Sequence, residues 1–280
     1  MQRFRHHIAN AFRVDPNSAD PMPDIPVSDD WFRQPICRNC GASLSTPYCG
    51  QCGQKAARRF VWRDMRNEGW ERLRLFEFQS VRTLWHLLRA PGTVARTYVL
   101  GRRAAHMHPL KLLVALVALL ALLLVTNQYF GHYAQDTRDV VVDRMAQRVM
   151  AYANWSFSLG IFAIFVGAWT VFRKRMGYNV IELTILSIYC QAIMLALIMI
   201  NLMPTLIWRS PGFILWHKMA SQYYVPAVKF LIVGIAYRQF FLLDLKSDWL
   251  KLLSACLIFA GVNWLLLRLY AFMILLLVSR

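Results

Sequence analysis

The chain has 280 residues, 57% of them hydrophobic, and carries 32 Lys and Arg against 15 Asp and Glu, a net charge of +17. A soluble globular domain holds about 45–50% apolar residues, so one water-soluble core does not account for this composition. A charge this positive leaves nucleic acid and anionic membrane as the classes of partner, and its placement along the chain favours the membrane.

The chain begins Met1-Gln-Arg-Phe-Arg-His-His, without the apolar core of a secretory signal. The expectation is a cytosolic N-terminus, in a reducing compartment that disfavours disulfides. Residues 14–35 are rich in Pro and Asp and lack apolar periodicity, so residues 1–35 read as a flexible lead.

Residues 36–54 carry the strongest chemical signal. They read Cys37-Arg-Asn-Cys40-Gly41, then, after an eight-residue gap between Cys40 and Cys49, Cys49-Gly-Gln-Cys52-Gly53. Each C-x-x-C pair lets two thiolates grip one ion from a tight turn, and the following glycine supplies the positive φ such a turn needs. Two grips make a closed four-sulfur tetrahedron, which suits a single structural zinc and leaves no open position for water or substrate. So small a module cannot bury enough surface to fold alone, so the metal would supply its folding energy. The short gap predicts two stacked knuckles with little sheet. Cys190 and Cys256 lie apart in apolar runs and read as small hydrophobes.

Residues 55–108 hold twelve Lys and Arg against four acids (Asp64, Glu68, Glu71, Glu77), a net +8 directly before the first apolar run. An anionic cytoplasmic leaflet attracts such juxtamembrane charge. No nucleic-acid-binding fold accompanies it, so nucleic acid is disfavoured. Residues 60–90 read as helix, with Val81, Leu84, Trp85 and Leu88 on one face. Pro91-Gly92 stops it, and Thr93 is placed to cap a second short helix through Leu100. Two arrangements fit these basic amphipathic helices: lying along the bilayer surface, or packing on each other as a small soluble unit. His106 and His108 read as surface histidines near the headgroups.

The run Cys37-x-x-Cys40-Gly … Tyr48-Cys-Gly-Gln-Cys-Gly-Gln54, then Thr83-Leu … Leu87-Leu88 … Pro91-Gly92 … Tyr98 … Gly101-Arg-Arg103 … Pro109-Leu, resembles a family of uncharacterised bacterial multi-span membrane proteins. That family has an N-terminal four-cysteine zinc ribbon and a T-L-x-x-L-L-x-x-P-G-x-V-x-x-Y-x-x-G-x-R segment. The likeness covers about residues 37–115. It implies the architecture and a structural role for Pro91–Arg103, and no activity.

Residues 109–280 hold five apolar stretches long enough for crossings of about 20 residues. They run about 109–130, 155–172, 180–203 (ended by Pro204), 223–243 and 249–278. The basic block before the first and Arg173-Lys174-Arg175 after the second predict a cytosolic N-terminus and an outside C-terminus. The loop 131–154 balances three Arg against three Asp, and residues 138–153 read as an outer surface helix.

Ionisable residues within spans raise a functional question by default. Glu182 and Arg238 lie at matching cytosolic depths and suggest an ion pair. Lys229 and Arg268 lie toward the outer side and suggest an anion or lipid-headgroup pocket, or side chains that reach out to the interface. Gln191, Asn201 and Asn263 read as interhelical hydrogen-bond partners. The sequence lacks nucleophile elbows, zincin helices, phosphate loops and paired intramembrane carboxylates, so no enzymatic activity is expected. The expected fold is an all-α polytopic membrane protein with a small zinc-ribbon or zinc-knuckle module, in a bacterial inner membrane. The expected role is a membrane-anchored interaction or scaffold protein, with a cytosolic partner for the module and anionic headgroups at the cytoplasmic face. The alternative is a small transporter, channel or lipid-handling protein.

Overall fold

A computed structural model describes residues 26–62, 78–126, 156–208 and 210–278. The predicted lead up to residue 25, the helical reading of 63–77 and the loop 131–154 lie outside the described residues. Eight α-helices occur among those described: α1 (Asp29–Arg33), α2 (Phe78–Arg89), α3 (Pro91–Val99), α4 (Pro109–Thr126), α5 (Ser156–Phe172), α6 (Val180–Ile207), α7 (Pro211–Phe240) and α8 (Trp249–Val278). The described residues contain no strands, only two isolated β-bridges.

Three helices are long and apolar enough to cross a membrane: Val180–Ile207, Gly212–Phe240 and Trp249–Met273. Two shorter apolar helices, Pro109–Leu124 and Ser158–Phe172, pack beside them. Helix α6 is the centre of the bundle, touching α3, α4, α5 and α7, while α8 packs on α5 and α7. Helices approach closely where glycine faces a neighbour. A Cβ on Gly160 would lie 2.4 Å from Gln191 Oε1, and one on Gly167 would lie 2.8 Å from the Ala255 carbonyl.

Boundaries differ from the sequence reading at two prolines. Helix α6 continues through Pro204 to Ile207, and α7 begins at Pro211 and runs through Pro226. An apolar environment penalises unpaired backbone so strongly that the helix outlasts the missing N–H of an internal proline. The final apolar run is one helix of 30 residues. At about 1.5 Å per residue it is roughly 45 Å long, more than the hydrocarbon core of about 30 Å requires.

Helix α2 buries a different face from the one periodicity suggests. Thr83, His86 and Leu87 are buried, whereas Trp85 and Leu88 are exposed and Arg89 covers the Trp85 ring at 4.3 Å. Thr83 faces inward because its hydroxyl accepts the Met107 N–H at 2.9 Å. Helix α3 packs on α2, as one of the two expected arrangements has it, and also docks on the long helices. It is buried along most of its length between α6 and α7. Its N-terminus is at Pro91, and it is capped by a distant side chain rather than by Thr93. Gln239 Oε1 accepts the N–H of Gly92 at 3.0 Å and of Thr93 at 3.4 Å. Gly92 permits this docking, since a Cβ there would sit 2.1 Å from the Ala236 carbonyl oxygen.

Candidate metal centre and its attachment to the bundle

The cysteine module is built from one ten-residue turn used twice. In residues 35–44, Cys37 N–H donates to Ala42 O, Gly41 N–H to Cys37 O and Leu44 N–H to Pro35 O. In residues 47–56, Cys49 N–H donates to Gln54 O, Gly53 N–H to Cys49 O and Ala56 N–H to Pro47 O. The bridges Ile36–Ser43 and Tyr48–Lys55 close the two turns. Gly41 and Gly53 hold φ of 79° and 69°, left-handed values that favour glycine over any residue with a side chain.

These turns aim backbone amides at sulfur. Asn39 and Cys40 donate to Cys37, and Gln51 and Cys52 donate to Cys49. The amides of Cys52 and Gln51 pull the Cys49 thiol down to about 6, the direction metal binding needs. Burial pushes Cys37 up, opposed by its own pair of amides. The Sγ atoms of Cys37 and Cys52 are 3.5 Å apart, as are those of Cys40 and Cys49. All four sulfurs lie within 4.8 Å of one another. A tetrahedral ion with metal–sulfur bonds of about 2.3 Å has sulfur–sulfur edges of about 3.8 Å. A disulfide needs about 2.05 Å, and all four cysteines are free. The four side chains could therefore hold one metal ion, and they fill its coordination sphere.

The module is fastened to the helical bundle by side chains that no local motif announces. Arg38 stacks on the Trp31 ring at 3.7 Å and donates to Gln34 Oε1 at 2.6 Å, while Trp31 Nε1 donates to the Leu100 carbonyl at 3.1 Å. Gln54 clamps the turn after α3, donating to Gly101 O at 2.8 Å and accepting from Ala104 N–H at 2.9 Å. Phe60 stacks on Tyr98 with ring centres 5.7 Å apart, and Arg103 lies over its other side at 3.7 Å. Arg59 reaches Glu182 Oε1 at 3.3 Å and Asp29 Oδ1 at 3.5 Å, and also donates to the Gly177 carbonyl.

Glu182 is the polar hinge of this junction and is fully buried. Its second oxygen accepts the Asn179 N–H at 2.8 Å, while Asn179 Oδ1 accepts the Glu182 N–H at 2.8 Å. This capping box starts the long helix α6. The expected Glu182–Arg238 pair is not formed. Arg59, 123 residues away in sequence, takes the carboxylate, and Arg238 is exposed on a groove between α7 and α8. Both arginines belong to the same end of the bundle, so depth along the helix did not discriminate between them.

The other two intramembrane candidates are not brought together. Lys229 lines a cavity of about 210 Å³ between α6 and α7 with Asn201 and Tyr224, whose hydroxyl donates to Asn201 Oδ1. Arg268 is exposed on α8, 5.4 Å from the centre of the Trp264 ring. Gln191 is buried, with its Oε1 unpaired. His106 and His108 are packed rather than at the surface. His106 meets His86 edge-on at 5.7 Å, and His108 meets Tyr98 edge-on at 6.2 Å. Burial pushes His106 down to about 3 and His108 to about 4, so both are neutral at pH 7.

Comparison with known proteins adds one match. Residues 81–121 match the model of a family described as "Protein of unknown function (DUF3667)". No curated protein and no solved structure matches the chain. The matched segment spans most of α2, all of α3, the Gly101 turn gripped by Gln54, and most of α4.

Proposed function

We propose that this chain is a five-span protein of the bacterial inner membrane, N-terminus inside and C-terminus outside, whose cytosolic zinc module braces the bundle and presents a docking surface to a cytosolic protein. It acts as a membrane-anchored interaction or scaffold protein and catalyses no reaction. The observation that carries this reading is the Arg59–Glu182 junction, which ties the cysteine module to the first turn of the central helix. A closed four-sulfur site serves to hold shape, and the shape it holds is fixed to the membrane domain.

Zinc is the ion favoured by an all-thiolate tetrahedron. Cys37, Cys40, Cys49 and Cys52 would hold it, and its bonds would lock the two turns together. Five crossings are supported by α4 and α5, which are about 27 and 26 Å long at roughly 1.5 Å per residue and pack on the long helices. The orientation is supported by Arg59, Arg103, Arg173, Lys174, Arg175, Lys246 and Lys251, all grouped on the module's side of the bundle. Exposed Tyr48 in the second cysteine turn, and exposed Trp62 further along the chain, supply aromatic surface a protein partner would use.

Purification in mild detergent with identification of copurifying proteins tests this function. A stoichiometric partner that is lost in Cys37→Ser and retained in Arg268→Ala is the expected result. The alternative, a small transporter, channel or lipid-handling protein, has Lys229 and its cavity in its favour. It predicts a solute or lipid phenotype for Arg268→Ala or Lys229→Ala with metal content intact. Less than half an equivalent of zinc in freshly purified, reduced protein would sink the metal assignment.

A further inference from the structure

The groove that Arg238 lines is the second built feature of the module's end of the bundle. It lies between α7 and α8, has a volume of about 320 Å³, and is walled by apolar side chains including Leu231, Ile235 and Leu253. Gly234 forms part of its floor, where the nearest atom to an added Cβ would be Cys256 Sγ at 3.5 Å. The mouth is marked by Arg238, two residues before the end of α7, and by Trp249, the first residue of α8. Tryptophan at this position marks the membrane–water interface.

The charge at the mouth is unbalanced. Asp248 is held by Arg175 at 2.9 Å and Lys251 at 3.1 Å. Asp244 accepts the Lys246 backbone N–H at 3.1 Å. Arg238 has no ion pair or side-chain hydrogen bond among the described residues. Arg238 is thus the one charged residue among the described residues lining the groove, with no acidic side chain among them beside it at the opening of an apolar slot. A phosphodiester headgroup with an acyl chain has the complementary form, and a guanidinium binds phosphate oxygens through paired N–H donors.

We propose that this groove is a binding site for one anionic phospholipid of the cytoplasmic leaflet, its phosphate on Arg238 and an acyl chain in the slot floored by Gly234. The inference rests on the reading of α7 and α8 as membrane spans. The anionic leaflet supplies such lipids on the side where the basic loops lie.

The test uses the full chain in mild detergent, offered equal amounts of phosphatidylglycerol and phosphatidylcholine with identical acyl chains, with bound lipid counted by native mass spectrometry. The wild-type chain is expected to retain one phosphatidylglycerol in preference to phosphatidylcholine. Arg238→Gln should lower phosphatidylglycerol retention about tenfold and phosphatidylcholine retention less, because choline's own charge already offsets its phosphate, so the preference falls. Gly234→Leu fills the slot without backbone contact and should lower retention of both lipids severalfold. Leu253→Trp fills it from the facing helix and gives the same result should the glycine variant fail to fold. Arg268→Gln, on the far part of α8, should change nothing.

Equal retention of the two lipids by the wild type, or no effect of Arg238→Gln, overturns the proposal. Displacement of phosphatidylglycerol by millimolar inorganic phosphate, with both slot-filling variants silent, overturns it in favour of a free-anion site. Alkaline carbonate extraction separates the two levels of the claim. Protein stripped from the membrane overturns the spanning reading and this one together, whereas protein retained without lipid preference overturns the lipid site alone.

Discussion

The two ends of the helical bundle are held together by different physics. At the module's end, polar side chains are buried in number: Arg38, Gln54, Thr83, His86, Arg96, His108, Glu182 and Asp248. Many of them reach partners far away in sequence, as Arg59 reaches Glu182, Gln54 reaches Gly101 and Arg96 Nε reaches the Tyr178 hydroxyl at 3.3 Å. At the opposite end the described residues show a mostly apolar outer surface, with Ile207, Leu215, Trp216, Tyr223 and Phe272 exposed. Long-range directional bonds and the cysteine turns dominate one end, while the outer surface of the other calls for a surrounding apolar medium. In water the second end would be an aggregation surface, and in a bilayer it is solvated. Damage to the first end should therefore produce specific, local loss of structure, and damage to the second should be absorbed by lipid.

The largest effect expected from this contrast is metal loss. Structural zinc in small thiolate modules contributes about 10–16 kcal/mol of apparent binding energy at neutral pH. Cys37→Ser, or a strong chelator, should abolish metal content and expose residues 36–62 to limited proteolysis while helices α4–α8 keep their far-UV circular dichroism. Collapse of the whole bundle with the metal would erase the distinction between the two ends.

Next is Gly92→Leu. A side chain there runs into the Ala236 carbonyl at 2.1 Å and into Gln239, so α3 cannot seat between α6 and α7. Backbone overlap of this kind costs more than about 4 kcal/mol, and thermal unfolding in detergent should show it as loss of the cooperative transition. Gly261→Leu on α8, where nothing lies within 4 Å of an added Cβ, should leave the transition in place.

A smaller effect is expected from Arg59→Ala. It leaves the fully buried Glu182 without its cation, a loss of about 3–5 kcal/mol for a wholly buried pair. Arg59 is itself partly exposed, with 28% of its side-chain surface open to solvent, which brings the expectation to about 2 kcal/mol. Glu182→Gln in the Arg59→Ala background should recover part of the loss, because the uncompensated charge is gone. A double-mutant cycle on thermal stability reads this coupling.

Acid gives the most graded effect. His86, His106 and His108 all have folded values below the ordinary 6.5, burial being the main cause, with neighbouring cations adding to it. The unfolded chain therefore takes up protons first as pH falls through 6.5, and the folded chain lags until about 4 and 3 for His108 and His106. Stability should be flat above pH 7 and should fall between pH 6.5 and 4, by up to about 1.4 kcal/mol per histidine per pH unit. His106→Phe should flatten this slope; an unchanged slope would show that other groups set it.

The four-cysteine cluster was legible in the sequence because it is local. Two C-x-x-C-G turns bring their own cysteines within reach, and the positive φ of the glycine after each pair is readable before any fold is known. The apolar helices were legible for a similar reason, although only three of the five expected stretches form helices long and apolar enough to cross a bilayer among the described residues. The buried face of α2 was not, because Thr83 and His86 are polar and periodicity counts only apolar residues. The same limit hid Arg59 and Gln54, whose importance comes from their partners and not from any pattern around them.

By itself, then, the sequence determined a cysteine module joined to a set of apolar helices, because ligand spacing and helix length are short-range properties of a chain. Only the tertiary structure decided how the two are joined. Several arginines lie at the depth of Glu182, and choosing Arg59 over Arg238 required the three-dimensional position of a residue 123 places away. Arg238 faces the groove between α7 and α8 instead. Which arginine a buried carboxylate meets is set by how the helices pack, and sequence order carries no record of it.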